Sequence, residues 1–309
     1  MRKWPNIWIT ILLALLISVG TNLFLPKDTE RYQSERFWIQ KTFAPAAYDV
    51  VVMGDSRVYR GVNPEIMDSV LKPMRTLNFA YSNGGLNPEM FKAAEEKLKE
   101  DDNPKIIVLG ISPNTVTGYS QTNEQYRQEK TLSREARLEA IYLNSLKDWF
   151  APVSLQKIRK ILKNNKSESY YRNHYFMNGY VASEKFPVDT MEAIPSYRKD
   201  FSNYKVEAKY LDELYAQVKR WNDRGITVLG FRPPVPQPMR QLEAIQGLYN
   251  EDQIKSDFEK AGGHWVPLDP NKYKTYDGSH VTIESAQKLS AKLASEIKEL
   301  LTSQDSGNQ

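Results

Sequence analysis

Apolar residues form an almost unbroken run from Trp4 to Leu25, preceded by Arg2 and Lys3 and closed by Pro26 and Lys27. About 20 such residues suffice to cross the hydrocarbon core of a bilayer as a helix. With the basic flank held in the cytoplasm, the rest of the chain is expected on the outer side of the membrane. A cleaved signal peptide is the competing reading, because Ser18-Val19-Gly20 offers small residues in a permissible cleavage pattern. Leu23, Phe24 and Leu25 continue the apolar run beyond that point and favour an anchor over residues 1–26, followed by a polar connector over 27–47.

From Tyr48 onward short apolar runs alternate with amphipathic stretches. Val50-Val51-Val52-Met53 is continuously apolar and β-branched, as expected of a strand buried on both faces of a parallel sheet. Further strands are predicted at Met74–Ala80, Lys105–Ile111, Ile226–Phe231 and Trp265–Leu268. Helices are predicted from Pro88, with Asn87 as N-cap, over Val206–Asp223, and from Ile283 to Leu301 after Thr282. In the last of these, Ile283, Ala286, Leu289, Leu293, Ile297 and Leu300 share one stripe. Alternating strands and helices imply an α/β domain over 48–301 with a mostly parallel sheet and right-handed crossovers. No clear strand separates Ile111 from Ile226, so an inserted helical cap is expected over about 115–204, and 302–309 reads as a disordered tail.

Composition changes this picture little. Of 309 residues, 40% are hydrophobic and 26% charged, ordinary values for a folded chain. With 42 basic and 38 acidic residues the net charge is only +4, and no nucleic-acid motif is present, so nucleic acid is not expected as a partner. The lack of cysteine excludes disulfides, thiolate nucleophiles and Cys-based zinc sites. His174, His264 and His280 are scattered, so no metal is expected, and nothing calls for a cofactor. No phosphate-cradling glycine loop follows the first strand, which argues against nucleotide binding.

The polar residues that interrupt the pattern cluster where ligands gather in parallel sheets, at the carboxyl ends of strands. Gly54-Asp55-Ser56 follows the first strand, Asn83-Gly84-Gly85 the second and Ser112-Pro113-Asn114 the third, while Asp277-Gly278-Ser279-His280 precedes the last helix. A serine hydroxyl needs a base to become a nucleophile, and an imidazole oriented by a carboxylate is such a base near neutral pH. The Asp-x-x-His spacing lets Asp277 orient His280 within one loop. Backbone N–H groups at Ser56 and Gly84 with an Asn side chain would form an oxyanion hole. Asp55 is expected to pin its turn. Arg57 and Arg60 could meet an anionic substrate, against the simpler reading of surface solvation or an ion pair, and Arg232 could line the pocket, although Pro233 and Pro234 more simply end its strand. The basic run Lys157, Arg159, Lys160, Lys163 and Lys166 reads as a solvated helix face, or as a surface for phosphate headgroups or an anionic polymer.

Together these blocks resemble the SGNH (GDSL-type) hydrolases, from about Asp49 to Leu301 with the cap as an interruption. The resemblance implies a flavodoxin-like three-layer α/β/α fold and hydrolysis or transfer of ester-linked acyl groups. It implies Ser56 as nucleophile, Asp277 and His280 as its partners, and Gly84 as the glycine donor, with Asn83 or Gly85 in that place under a one-residue shift. The third block departs from the family pattern, since Ser112 stands where asparagine is usual and Asn114 comes two residues late. Exported, membrane-anchored members act on acyl groups of cell-envelope glycans, often beside a multispanning acyltransferase. The expected function is therefore an extracytoplasmic esterase or O-acyltransferase. The alternative is an anchored glycan-binding or assembly factor that keeps the fold without turnover.

Overall fold

The computed structural model describes residues 5–24, 29–144, 146 and 169–307. The chain divides into two units, 1–39 with 131–168, and 40–130 with 169–309. In the first, Pro5–Phe24 forms a helix on which Trp8, Leu12, Leu16 and Ile17 are exposed. Among the described residues no helix is long and apolar enough to cross a membrane, so the expected transmembrane helix is without structural support. Also in this unit, Glu35 pairs with Arg31 one helical turn away and accepts from Asn144. The basic run from Lys157 to Lys166 lies outside the described residues.

The second unit is α/β. Its five-stranded sheet contains β1 (Val50–Met53), β2 (Thr76–Asn78), β3 (Lys105–Gly110), β6 (Ile226–Phe231) and β7 (His264–Trp265), in the order β2-β1-β3-β6-β7. Every neighbouring pair is parallel. The β1 side chains are 0–1% exposed, as continuous apolarity demands when both faces are covered. Helices pack in two groups. Ser56–Gly61 and Pro64–Leu71 meet the last helix, while Pro88–Glu95 and Glu251–Lys260 meet Ala208–Asp223.

Several elements differ from the sequence reading. The fifth strand starts one residue earlier than expected, so His264 pairs with Leu229 inside β7. The interval expected to be a helical cap contains an antiparallel hairpin, β4 (Tyr170–Tyr175) with β5 (Val181–Phe186). Its strands are short and half exposed and mix aromatic with charged residues, so neither alternation nor an apolar run marks them. The last helix runs from Ile283 to Gly307, taking in most of the expected tail.

The hairpin and the helix Ile194–Asn203 support the loop before the last helix. Tyr180 and Ala182 share a core with Val281 and Ala286. Ile194 and Phe201 pack against Val235, Met239 and Leu242.

Candidate active site

Helix Ser56–Gly61 starts at the carboxyl end of β1 because two residues force the turn. Gly54 has φ 151°, and a Cβ there would lie 2.4 Å from Cγ2 of Val58. Asp55 is the N-cap and accepts from Arg57 N–H at 2.9 Å. Its other oxygen accepts from the Ser112 hydroxyl at 2.6 Å, tying β1 to β3. Ser56 thus occupies the first helical position, partly exposed between buried neighbours.

The Asp277 loop reaches this point from the other end of the chain. Asp277 Oδ1 accepts from the backbone N–H groups of Ser279 (2.8 Å) and His280 (2.7 Å). Oδ2 lies 2.7 Å from His280 Nδ1, and His280 Nε2 lies 2.9 Å from Ser56 Oγ. Burial alone would raise the Asp277 carboxyl, but the hydrogen bonds and charge of His280 and the two backbone donors hold it down at about 2. An ionised carboxylate only accepts, so Nδ1 carries the proton and donates to it, leaving the Nε2 lone pair for the Ser56 hydroxyl. Burial pushes the His280 imidazole below its ordinary value; the hydrogen bond it donates to Asp277 opposes this, and the guanidinium groups of Arg60 and Arg57 add to it. The base is therefore held unprotonated at neutral pH.

The loop path depends on Gly278. Its φ is 84°, and a Cβ would sit 2.1 Å from the Thr190 carbonyl oxygen. Asp189 N–H and Ala193 N–H donate to the carbonyls of Tyr276 and Asp277, so the segment after β5 holds the loop in place. Tyr276 stacks on the His280 ring with centroids 5.7 Å apart and also lines a hollow of about 360 Å³ with Tyr170, Ser183, Lys185 and Lys274. The hollows beside Arg232 and Arg240 share no residue with Ser56, Asp277 or His280.

The structure thus brings together Ser56, Asp277 and His280, and it reassigns other expected site residues. Gly84 N–H donates to the Tyr81 carbonyl at 3.0 Å within a turn that has Asn83 at φ 51°, so it is already used. Asn83 is exposed, and Gly85 is buried against Ser120 and Asn87. Asn114 lies on the short 3-10 turn Pro113–Val116, and no contact joins it to Ser56 or His280 among the described residues. Ser112, where the resemblance led one to expect asparagine, is engaged by Asp55. The Ser56 N–H has no hydrogen-bond partner among the described residues, so it remains a candidate oxyanion donor.

Arg57 and Arg232 are buried and structural rather than open to substrate. Arg57 Nε donates to Ser279 Oγ at 3.1 Å, and its Nη1 lies 2.6 Å from Glu243 Oε1, an ion pair by distance although its angle is poor for a hydrogen bond. Arg232 donates to Glu243 and Glu251, each at 2.5 Å. Tyr197 meets Ser279 Oγ at 2.7 Å and lies beneath the Arg57 guanidinium.

Arg60 is the residue that sequence reasoning undervalued. It stands one turn beyond Ser56 on the same helix face, and its Nη1 lies 3.1 Å from His280 Nε2. The Ser-x-x-x-Arg spacing directly after a buried strand was the available signal.

No family model matches the chain, and no curated protein matches it. Among solved structures it is similar to one described as "a putative platelet activating factor from Streptococcus pneumonia", at 13% identity over 94% of this chain and 98% of the other. The TM-score of 0.36 is too low for that likeness to carry any argument.

Proposed function

We propose that this protein is an SGNH-type serine esterase or O-acyltransferase on a flavodoxin-like three-layer scaffold, with Ser56 as nucleophile, His280 as base and Asp277 as its orienting carboxylate. One observation carries the reading. A serine hydroxyl, an imidazole and a carboxylate form an unbroken hydrogen-bonded line of 2.9 and 2.7 Å at the carboxyl end of the first strand. The strand order, which has a flavodoxin-type 2-1-3-4-5 pattern, supports the scaffold.

In the proposed reaction Ser56 Oγ bonds to the ester carbonyl carbon while its proton passes to His280 Nε2. As the tetrahedral intermediate collapses, the ester C–O bond breaks and the leaving alcohol takes that proton. Water or a glycan hydroxyl then attacks the acyl-serine, gives its proton to Nε2, and Ser56 leaves with it. Acyl groups, acetyl foremost, on cell-envelope glycans are the proposed substrates. The apolar run Trp4–Leu25 with its basic flank motivates a proposed membrane tether with the α/β unit outside the cytoplasm, where a multispanning acyltransferase is a proposed partner. A fluorophosphonate probe should label wild type at Ser56 and leave Ser56→Ala unlabelled. Equal labelling of the two would end this reading.

The engaged Gly84 N–H and the lack of a third-block asparagine favour a second reading, an anchored glycan-binding factor without turnover. If Ser56→Ala and His280→Ala leave envelope acylation unchanged in cells while removal of the β4–β5 hairpin abolishes it, the second reading replaces the first.

A further inference from the structure

Arg57 and Arg232 each face buried carboxylates. Arg60 differs from both. Among the described residues it forms no ion pair, and its Nε is buried without a hydrogen-bond partner. It stays charged against the rings of Tyr59 and Tyr171, 4.9 and 6.0 Å from their centroids, with Tyr276 and Asp277 as the other groups whose field it feels. Among the described residues its hydrogen-bond contact is His280 Nε2, whose single lone pair already receives the Ser56 hydroxyl. The contact at 3.1 Å is therefore shared and weak. It becomes repulsive once Nε2 takes the serine proton, because imidazolium and guanidinium are then both cations. A cation partly shielded from water needs a counter-charge, and no carboxylate among the described residues bonds it. Ser56, Arg60, Asp277 and His280 are also the partly exposed residues in their two segments, where Asp55, Arg57, Tyr59, Tyr276 and Ser279 are buried. Arg60 thus opens to the same side as the nucleophile.

We propose that Arg60 binds an anionic group, a carboxylate or phosphate oxygen, that the substrate carries beside its scissile ester, so that the site selects negatively charged esters. This rests on the esterase reading and deepens it. The bound anion draws the guanidinium off Nε2 and leaves that lone pair to Ser56, so substrate charge and base activation are coupled.

The experiment compares hydrolysis of neutral 4-nitrophenyl acetate with that of the monoanionic 4-nitrophenyl hemisuccinate. Wild type should favour the anionic ester in kcat/KM by about ten- to a hundredfold over the ratio shown by Arg60→Gln, the range for one hydrogen bond to a charged group. Arg60→Lys, which keeps the charge without the fork, should retain part of the preference. Taking the ratio of the two esters cancels any general effect of the substitution on His280 or on folding. A ratio unchanged in Arg60→Gln, with Ser56 still labelled by fluorophosphonate, overturns the role of Arg60 and leaves the esterase reading intact. Absence of Ser56 labelling in wild type ends the esterase reading and this inference with it.

Discussion

Ser56, His280 and Asp277 form one hydrogen-bonded unit, so removal of any member should cost most of the proposed esterase activity. Ser56→Ala and His280→Ala should each lower kcat/KM toward an aryl ester by on the order of 10⁵-fold, with circular dichroism unchanged. The pH profile tests the environment of the base. Burial lowers the His280 imidazole and Arg60 adds to that, so the acid limb of kcat/KM should fall below pH 6.5, the ordinary imidazole value. Arg60→Gln removes a nearby positive charge, stabilises the imidazolium and should move that limb to higher pH. A limb that stays put or moves down would mean that the contact between Arg60 and Nε2 is absent in solution. At this scale the chain was largely legible. Ser56, Asp277 and His280 are recognisable because chemistry demands those residue types in short, punctuated loops. The ion pair expected for Arg57 is present, but that its partner is Glu243, and that the Gly84 N–H is engaged, depends on partners that no local pattern names.

At the scale of elements, the strongest demand is on the loop before the last helix. Gly278→Ala combines a left-handed backbone with a Cβ 2.1 Å from Thr190 O, and it should destabilise the fold by about 1–3 kcal/mol in urea unfolding. It should also lower activity more than its stability loss explains, because the loop carries both Asp277 and His280. Glu243 on helix Gln237–Ile245 faces Arg57 and Arg232 and is 0% exposed. Glu243→Gln leaves two buried cations short of a partner and should cost about 3–5 kcal/mol by the same measurement. Neither the hairpin β4–β5 nor this ion-pair network had a sequence signature. The hairpin strands lack period-two patterning, and charged residues on separate helices give no hint of which will meet.

For the whole molecule, the paired groups make stability depend on pH. Asp277 moves from its ordinary 3.8 to about 2 on folding, and His280 also moves down. Both shifts mean that the unfolded chain binds protons more readily, so stability is full above pH 6.5 and declines in two stages. It falls first as unfolded histidine protonates below 6.5, then as unfolded aspartate does below 3.8. The aspartate stage amounts to about 2 kcal/mol. Urea unfolding from pH 7 to pH 2 should show this decline, and Asp277→Asn should flatten its lower stage. The proposed tether is tested by cell fractionation. The full chain should sediment with membranes and be cleaved by external protease, whereas residues 40–309 alone should not sediment.

The order of strands and helices, the burial of β1 and the residue types of the Ser56–His280–Asp277 line could be read from the chain itself. Each follows from local periodicity, turn chemistry and the limited set of side chains able to activate a serine. Tertiary structure alone decided that the turn after β1 meets the turn before the last helix and that, among the described residues, Gly84 is engaged while the Ser56 N–H is not and Arg60 stands at the imidazole without a carboxylate of its own. Those outcomes depend on distances between residues remote in sequence. Packing sets such distances, and no local pattern encodes them.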